Sequence, residues 1–322
     1  MAGTSELRLT RGLATLALAL LGACSSGASL HGGAQDASLQ QVAPGVYVHL
    51  GRLEDWGPAN QGDVANSGFI IGSRCVAVID PGGGAAPAQR LLEQVQRTTP
   101  LPICYVINTH AHPDHVLGNS VLADAPRAAG AEFVGHHKLP AALQARAPYY
   151  LNALRRDFGA EHATAVRIVV PTRRVEGLLQ LDLGDRLITL QAWPTAHTDA
   201  DLTVLDERTR TLFLGDLLFV KHTPVVDGRL KGWLAVLGQL RDASVAHAVP
   251  GHGAVSTDWP RALDAEQHYL LQLQADVRHA LKQGLTLSQA VERIAPDRPD
   301  WLLLDVFHRR NVTAAYAELE WE

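Results

Sequence analysis

The sequence predicts an α/β fold in which sheets are covered by helices. Short β-type apolar runs alternate with segments of helical spacing along most of the chain. Polar clusters fall at the ends of several of those runs, beside small residues. The chain has 322 residues, 47% apolar and 19% charged, which is enough to bury a sizeable core and excludes a disordered or fibrous chain.

The elements follow in order. Val46–Leu50 is a short β-type run, and Phe69–Ile71 with Val76–Ile79, separated by Gly72-Ser73-Arg74, reads as a hairpin. Pro87–Arg97 has helical spacing, with Leu91, Leu92 and Val95 on one face. Ile103–Ile107 and Phe133-Val134 are buried strands. Leu139–Phe158 reads as a helix limited by Pro148. Leu187–Ala192, Leu202–Leu205, Thr211–Leu214 and Ala246–Val249 are strands, with a helix at Leu234–Leu240. A long helix is expected over Trp259–Gln283, and Leu287–Ile294 and Val312–Leu319 close the chain as helices. With no internal repeat and no linker after residue 45, residues 42–322 read as one domain.

The first segment stands apart from that fold. Arg8 and Arg11 precede the apolar run Leu13–Leu21, which falls short of the roughly 20 residues that a membrane span needs and reads as a secretory signal. It ends Leu21-Gly22-Ala23-Cys24-Ser25-Ser26, which resembles a bacterial lipobox. That resemblance implies a signal peptide over residues 1–23, lipidation of Cys24, and an exported, periplasmic protein anchored to the outer membrane. Residues 24–41, rich in Ser, Gly and Ala, are expected to form a flexible tether. Cys75 and Cys104 would then lie in an oxidising compartment. A bridge between them is one reading. Two buried free thiols are favoured, because adjacent in-register strand positions often give poor disulfide geometry. The formal charge of −5, from 28 basic and 33 acidic residues, supplies no basic field for nucleic acid.

The chemistry gathers after the strand Ile103–Ile107. Thr109-His110-Ala111-His112-Pro113-Asp114-His115 places three imidazoles and a carboxylate within six residues, and both are ordinary zinc ligands. Later run ends add His197, Asp216 and His252, each beside small residues that allow close backbone approach. Seven such donors are too many for one tetrahedral ion. His49, His162 and His308 receive no role, His136-His137 reads as structural or substrate-adjacent, and Asp201 as a hydrogen-bond partner rather than a ligand.

The order H-x-H-x-D-H, then H, D and H, together with Asn66–Gly72 and Val78-Ile79-Asp80-Pro81-Gly82, resembles the metallo-β-lactamase superfamily over residues 42 to 256. The resemblance implies a four-layer αββα sandwich. It implies two zinc ions, with iron as the alternative metal. His110, His112 and His197 would hold the first, Asp114, His115 and His252 the second, and Asp216 would bridge them, while Asp80 and Thr109 would orient the ligand loop. Asp216 stands where the best-known β-lactamases of the superfamily carry a zinc-binding cysteine, which argues against that subgroup. Gly215–Val220, Leu230–Leu234 and Asn311–Glu320 look similar to exported zinc hydrolases named for quinoprotein relay systems, relatives of a hydrolase associated with sulfur oxidation.

The expected activity is therefore hydrolysis of a small acyl substrate (ester, thioester, lactone or amide) by a metal-bound hydroxide, with Asp114 and Asp216 as catalytic carboxylates and Lys221 as a candidate for holding a substrate carboxylate. A persulfide dioxygenase with one iron, a β-lactam hydrolase, and a non-catalytic accessory protein of a quinoprotein dehydrogenase system are the alternatives.

Overall fold

The computed structural model describes residues 39–297 and 300–322. The expected signal peptide, Cys24 and the expected tether as far as residue 38 lie outside the described residues. Seven strands form the first sheet: β1 (Leu39–Ala43), β2 (Val46–His49), β3 (Ser67–Ile71), β4 (Val76–Ile79), β5 (Ile103–Ile107), β6 (Glu132–His136) and β7 (Arg173–Val175). They lie side by side in sequence order, antiparallel from β1 to β4 and parallel from β4 to β7. The second sheet holds β8 (Leu178–Asp182), β9 (Leu187–Ala192), β10 (Leu202–Asp206), β11 (Thr211–Phe219) and β12 (His247–His252), in the order β12-β11-β10-β9-β8, with only β11 and β12 parallel. The helices among the described residues are α1 (Ala85–Thr98), α2 (Pro113–Val116), α3 (Asn119–Asp124), α4 (Leu139–Asp157), α5 (Ala160–Thr164), α6 (Leu230–Leu240), α7 (Asp264–Lys282), α8 (Leu287–Arg293) and α9 (Leu304–Leu319).

The side-chain period of two sorts each strand between layers. In β4, Val76 and Val78 turn outward to Leu91 and Val95 of α1, while Ala77 and Ile79 turn inward. They meet Ile188, Leu190, Leu202, Val204 and Phe213 of the second sheet. The outer face of that sheet, through Leu212 and Leu214, packs on Trp233 and Leu237 of α6, Tyr269 and Leu273 of α7, and Val312 of α9. The result is the expected four-layer αββα sandwich. Covering on both faces explains why β4 reads as an unbroken apolar run rather than an alternation.

Several expectations are corrected. Cys75 and Cys104 are joined by a disulfide, with Cα atoms 5.8 Å apart, rather than being free thiols. The strands are neighbours, but the β4–β5 register shifts between Val76 and Ala77, so the two cysteines do not face each other in register and the separation lies within bridging range. Closing a loop with a sequence separation of 29 should contribute about 3–4 kcal/mol through the unfolded chain. A Cys75→Ser/Cys104→Ser variant is expected to lose that amount in urea unfolding, and an unchanged midpoint would contradict it. Strand β1 takes Leu39, Gln40 and Gln41 from the segment expected to be tether. α4 runs through Pro148, because Pro148 and Gln144 both sit on its exposed side, where water can meet the carbonyl left without a donor. α7 starts at Asp264, after a single 3₁₀ turn at Arg261–Leu263, rather than at Trp259.

Candidate metal centre

The site lies where β4, β5 and β12 end, against the middle of β11, which runs on past Asp216 to Phe219 rather than stopping before it as the sequence suggested. Asp80, at the end of β4, sits in the left-handed region (φ 47°). Its carboxylate accepts the Thr109 backbone N–H at 2.8 Å, the Thr109 hydroxyl at 2.6 Å and His115 Nδ1–H at 2.9 Å. One buried carboxylate thus ties the β5 exit to α2 and turns His110, His112, Asp114 and His115 to one side. A single turn of helix, α2, carries Asp114 and His115. In the middle of β11, where its register against β12 shifts, Gly215 lies against Thr109 and is left-handed (φ 53°). In β12, Gly251 faces the Asp216 carboxylate so closely that a Cβ there would collide with it. The small neighbours noted in the sequence therefore make room for Thr109 and for Asp216.

Two groups of donors converge. His110, His112, His197 and Asp216 form one, and Asp114, His115 and His252 the other, with the donor atoms of each group within 4.8 Å of one another. Asp216 joins them. Its Oδ2 lies 3.3 Å from His197 Nε2 and 3.6 Å from His110 Nε2, and its Oδ1 lies 3.1 Å from His115 Nε2 and 3.5 Å from His252 Nε2. Asp114 Oδ2 is 3.3 Å from His252 Nε2. The far nitrogen of each ring is engaged elsewhere. His110 Nδ1 meets the Thr109 hydroxyl, His197 Nδ1 the Val225 carbonyl at 2.7 Å, and His252 Nδ1 the Val64 carbonyl at 3.0 Å. His112 is reversed: its Nε2 meets Asp227 at 3.2 Å, and Nδ1 faces the group.

A model of the metallo-beta-lactamase superfamily matches residues 60–256. The chain belongs to this superfamily. The stereoselective inverting sec-alkylsulfatase Pisa1 from Pseudomonas sp. has a similar structure, with a TM-score of 0.65 and 17% identity over 88% of this chain and 50% of that one. A double mutant of the same sulfatase gives 0.67 at 16% identity over the same shares. This chain therefore spans about half the length of that enzyme. A metallo-beta-lactamase from Pontibacter korlensis gives 0.54 at 18% identity, over 72% of this chain and 98% of that one. These likenesses show the shared superfamily fold.

The donor set fits metal ions. His110 Nε2, His115 Nε2 and Asp216 Oδ1 are buried, and no well-directed hydrogen bond within the protein satisfies them, the 3.1 Å approach of the last two included. Leaving such atoms unmet costs about 1–3 kcal/mol each, and a cation at their focus satisfies all three. The electrostatics agree. Burial holds His110 well below the ordinary histidine range and His197 at about 3, so both offer neutral nitrogens. Burial opposes charge on His252 as well, yet Asp216 and Asp114 outweigh it and raise it to about 9. Likewise, burial opposes ionisation of Asp114, but His115 and His252 hold its carboxyl at about 2. Those carboxylates make a field that favours positive charge.

Some predicted residues stand apart, and some unforeseen ones matter. Lys221 is exposed and does not line the cavity above the site. Asp201 accepts the Thr198 N–H and hydroxyl, fixing the turn after His197 as expected. His136 meets the Trp193 carbonyl, away from the metal groups. Asp227, which orients His112 and pairs with Arg146 at 3.0 Å, was not singled out in the sequence. Its signal was an isolated acid in the Val225-Val226-Asp227 turn. Asn66 holds the β12 exit through the Pro250 and Gly253 carbonyls. Replacing Asp80 by asparagine is expected to weaken metal binding about 10–100-fold, the usual effect of losing a ligand-orienting partner. Competition with a chromogenic chelator measures it, and an unchanged affinity would remove the orienting role.

Proposed function

We propose that this superfamily member is an exported dinuclear zinc hydrolase of a small acyl substrate. The observation that carries the reading is the convergence of seven donor side chains in two groups that share Asp216. A cavity of about 580 Å³ opens over them, lined by Trp56, Tyr150, Phe219 and Phe307 among others. That volume and mixed apolar and polar wall suit a small organic molecule.

Bound in the two groups, zinc ions would supply Lewis acidity and a water that ionises near neutral pH. The chain's own residues do the rest. Asp216 fixes the separation of the two groups. Asp114 faces the cavity with Oδ2 turned to His252, which leaves Oδ1 to hold the water and take its proton. Asp80, Asp227 and the Val225 and Val64 carbonyls keep the rings aimed, so little reorganisation is needed during the reaction. Among the described residues, no serine or cysteine lines the cavity, so the reading includes no covalent acyl-enzyme.

Elemental analysis of the purified chain, followed by a panel of p-nitrophenyl esters, a thioester, a lactone, a chromogenic cephalosporin and a secondary alkyl sulfate, tests this. Two zinc per chain and turnover of an acyl substrate are expected, with loss on chelation and recovery on zinc. One iron per chain without hydrolysis would favour the persulfide dioxygenase reading instead. Metal without turnover would favour an accessory role beside a quinoprotein dehydrogenase.

Export is part of the same proposal. The Cys75–Cys104 disulfide supports an oxidising compartment, and the Leu21–Cys24 stop supports a lipid anchor. Cys24→Ser is expected to release the protein into the soluble fraction or leave an uncut precursor. Normal membrane partition of that variant would refute anchoring through Cys24.

A further inference from the structure

The cavity wall carries a tyrosine whose hydroxyl makes no hydrogen bond to another described residue. Tyr150 projects from α4, is only 5% exposed, and lines the cavity together with His112, Asp114, Asp216 and His252. Its hydroxyl has no partner among the described residues and is not among the atoms shut away from solvent, so the cavity is where it can find one. The charged groups that act on it are Arg146 of the same helix, Asp227 beyond β11 and Asp114 of α2. Both carboxylates line the same cavity as Tyr150. Burial pushes the phenol well above the usual tyrosine range, so its proton is in place at neutral pH. Of the other donors on the wall, Trp56 Nε1 goes to the Gly83 carbonyl, Arg146 to Asp227 and His222 Nδ1 to the Thr223 carbonyl, while Tyr149 and Arg310 are exposed.

We propose that Tyr150 is a catalytic residue whose O–H donates a hydrogen bond to the substrate's carbonyl oxygen as that oxygen becomes negative. This rests on the hydrolytic reading above. When water oxygen bonds to the carbonyl carbon, the carbonyl π pair moves onto oxygen, and the Tyr150 hydrogen bond strengthens. When the carbonyl re-forms, the bond to the leaving group breaks, and the leaving group departs with a proton that came from water. Tyr150 keeps its own proton throughout. A donor aimed at charge that develops only in the transition state acts on kcat more than on KM.

Tyr150→Phe keeps the buried ring and loses only an oxygen that has no partner, so the fold should be retained. The full chain, zinc-loaded, is compared with this variant in three measurements. Zinc content should be equal. Affinity for phenylphosphonate, a tetrahedral anion, should fall at least tenfold by calorimetry. With p-nitrophenyl butyrate, kcat should fall about 10²-fold, with KM within about threefold. Equal phosphonate affinity in the two proteins, or binding in neither, would overturn the assignment. A wild-type chain that binds zinc and the phosphonate but cleaves no ester would remove the hydrolytic reading, and with it the catalytic role.

Discussion

Replacing Asp216 by alanine is expected to lower both metal retention and hydrolysis, with activity down at least about 10³-fold. The magnitude follows from the several kcal/mol that metal chemistry supplies, at 1.36 kcal/mol per factor of ten. Asp216 is the residue that places an oxygen in each donor group: Oδ2 toward His110 and His197, Oδ1 toward His115 and His252. Without it, His115 and His252 lose the carboxylate that acts most strongly to keep them charged when no cation is present. Each group is then left with three donors. The variant should hold at most one tightly bound zinc by elemental analysis. Retention of two would reject the shared role. Gly251→Ala probes the same point from the backbone, because its Cβ would press on the Asp216 carboxylate without changing any donor. It should weaken metal binding while every ligand side chain is still present.

Much of this site was legible because donors are side chains and their spacing is written in the chain. Three histidines and an aspartate within six residues can serve one centre only if the backbone coils, and α2 supplies that turn. The sheets were legible where apolar runs are buried on both faces, as in β4 and β5. Edge and connecting strands were not. β7 is the three-residue run Arg173-Arg174-Val175, and β8 pairs only along one side, so neither needs a strong apolar pattern. The supports of the ligand rings were also hidden. The Val225 and Val64 carbonyls are backbone atoms, which no residue type announces. Asp227 lies 115 positions from His112, and its partnership depends on how the segment after β11 folds back. The disulfide was missed because its feasibility turns on a one-residue shift of register, which apolar patterning leaves undetermined.

Arg186 carries the largest expected effect on stability outside the metal groups. Its guanidinium is buried and forks onto Asp206, with Nε and NH2 each 2.7 Å from a carboxylate oxygen. NH1 reaches across to the Ile71 carbonyl at 2.9 Å. Ile71 ends β3 in the first sheet and Asp206 ends β10 in the second, so this fork ties the two sheets together at one end of the sandwich. Arg186→Ala would leave Asp206 as a buried carboxylate facing no cation, which typically costs about 3–5 kcal/mol. Burial alone would raise the Asp206 carboxyl. Arg186, together with the Thr209 hydroxyl and N–H, outweighs burial and holds it below its ordinary value of 3.8. The sign of the pH dependence follows. The folded state binds this proton less readily than the unfolded chain, so the stabilisation is present above about pH 4 and is lost as pH falls through the lowered folded value. Urea unfolding of the wild type and Arg186→Ala should therefore differ by about 3–5 kcal/mol at pH 7 and converge on acidification. A difference below about 1 kcal/mol at pH 7, the size of an exposed pair, would mean that water reaches the fork. A gap that widens at low pH would mean that Asp206 is not the carboxylate that Arg186 holds ionised.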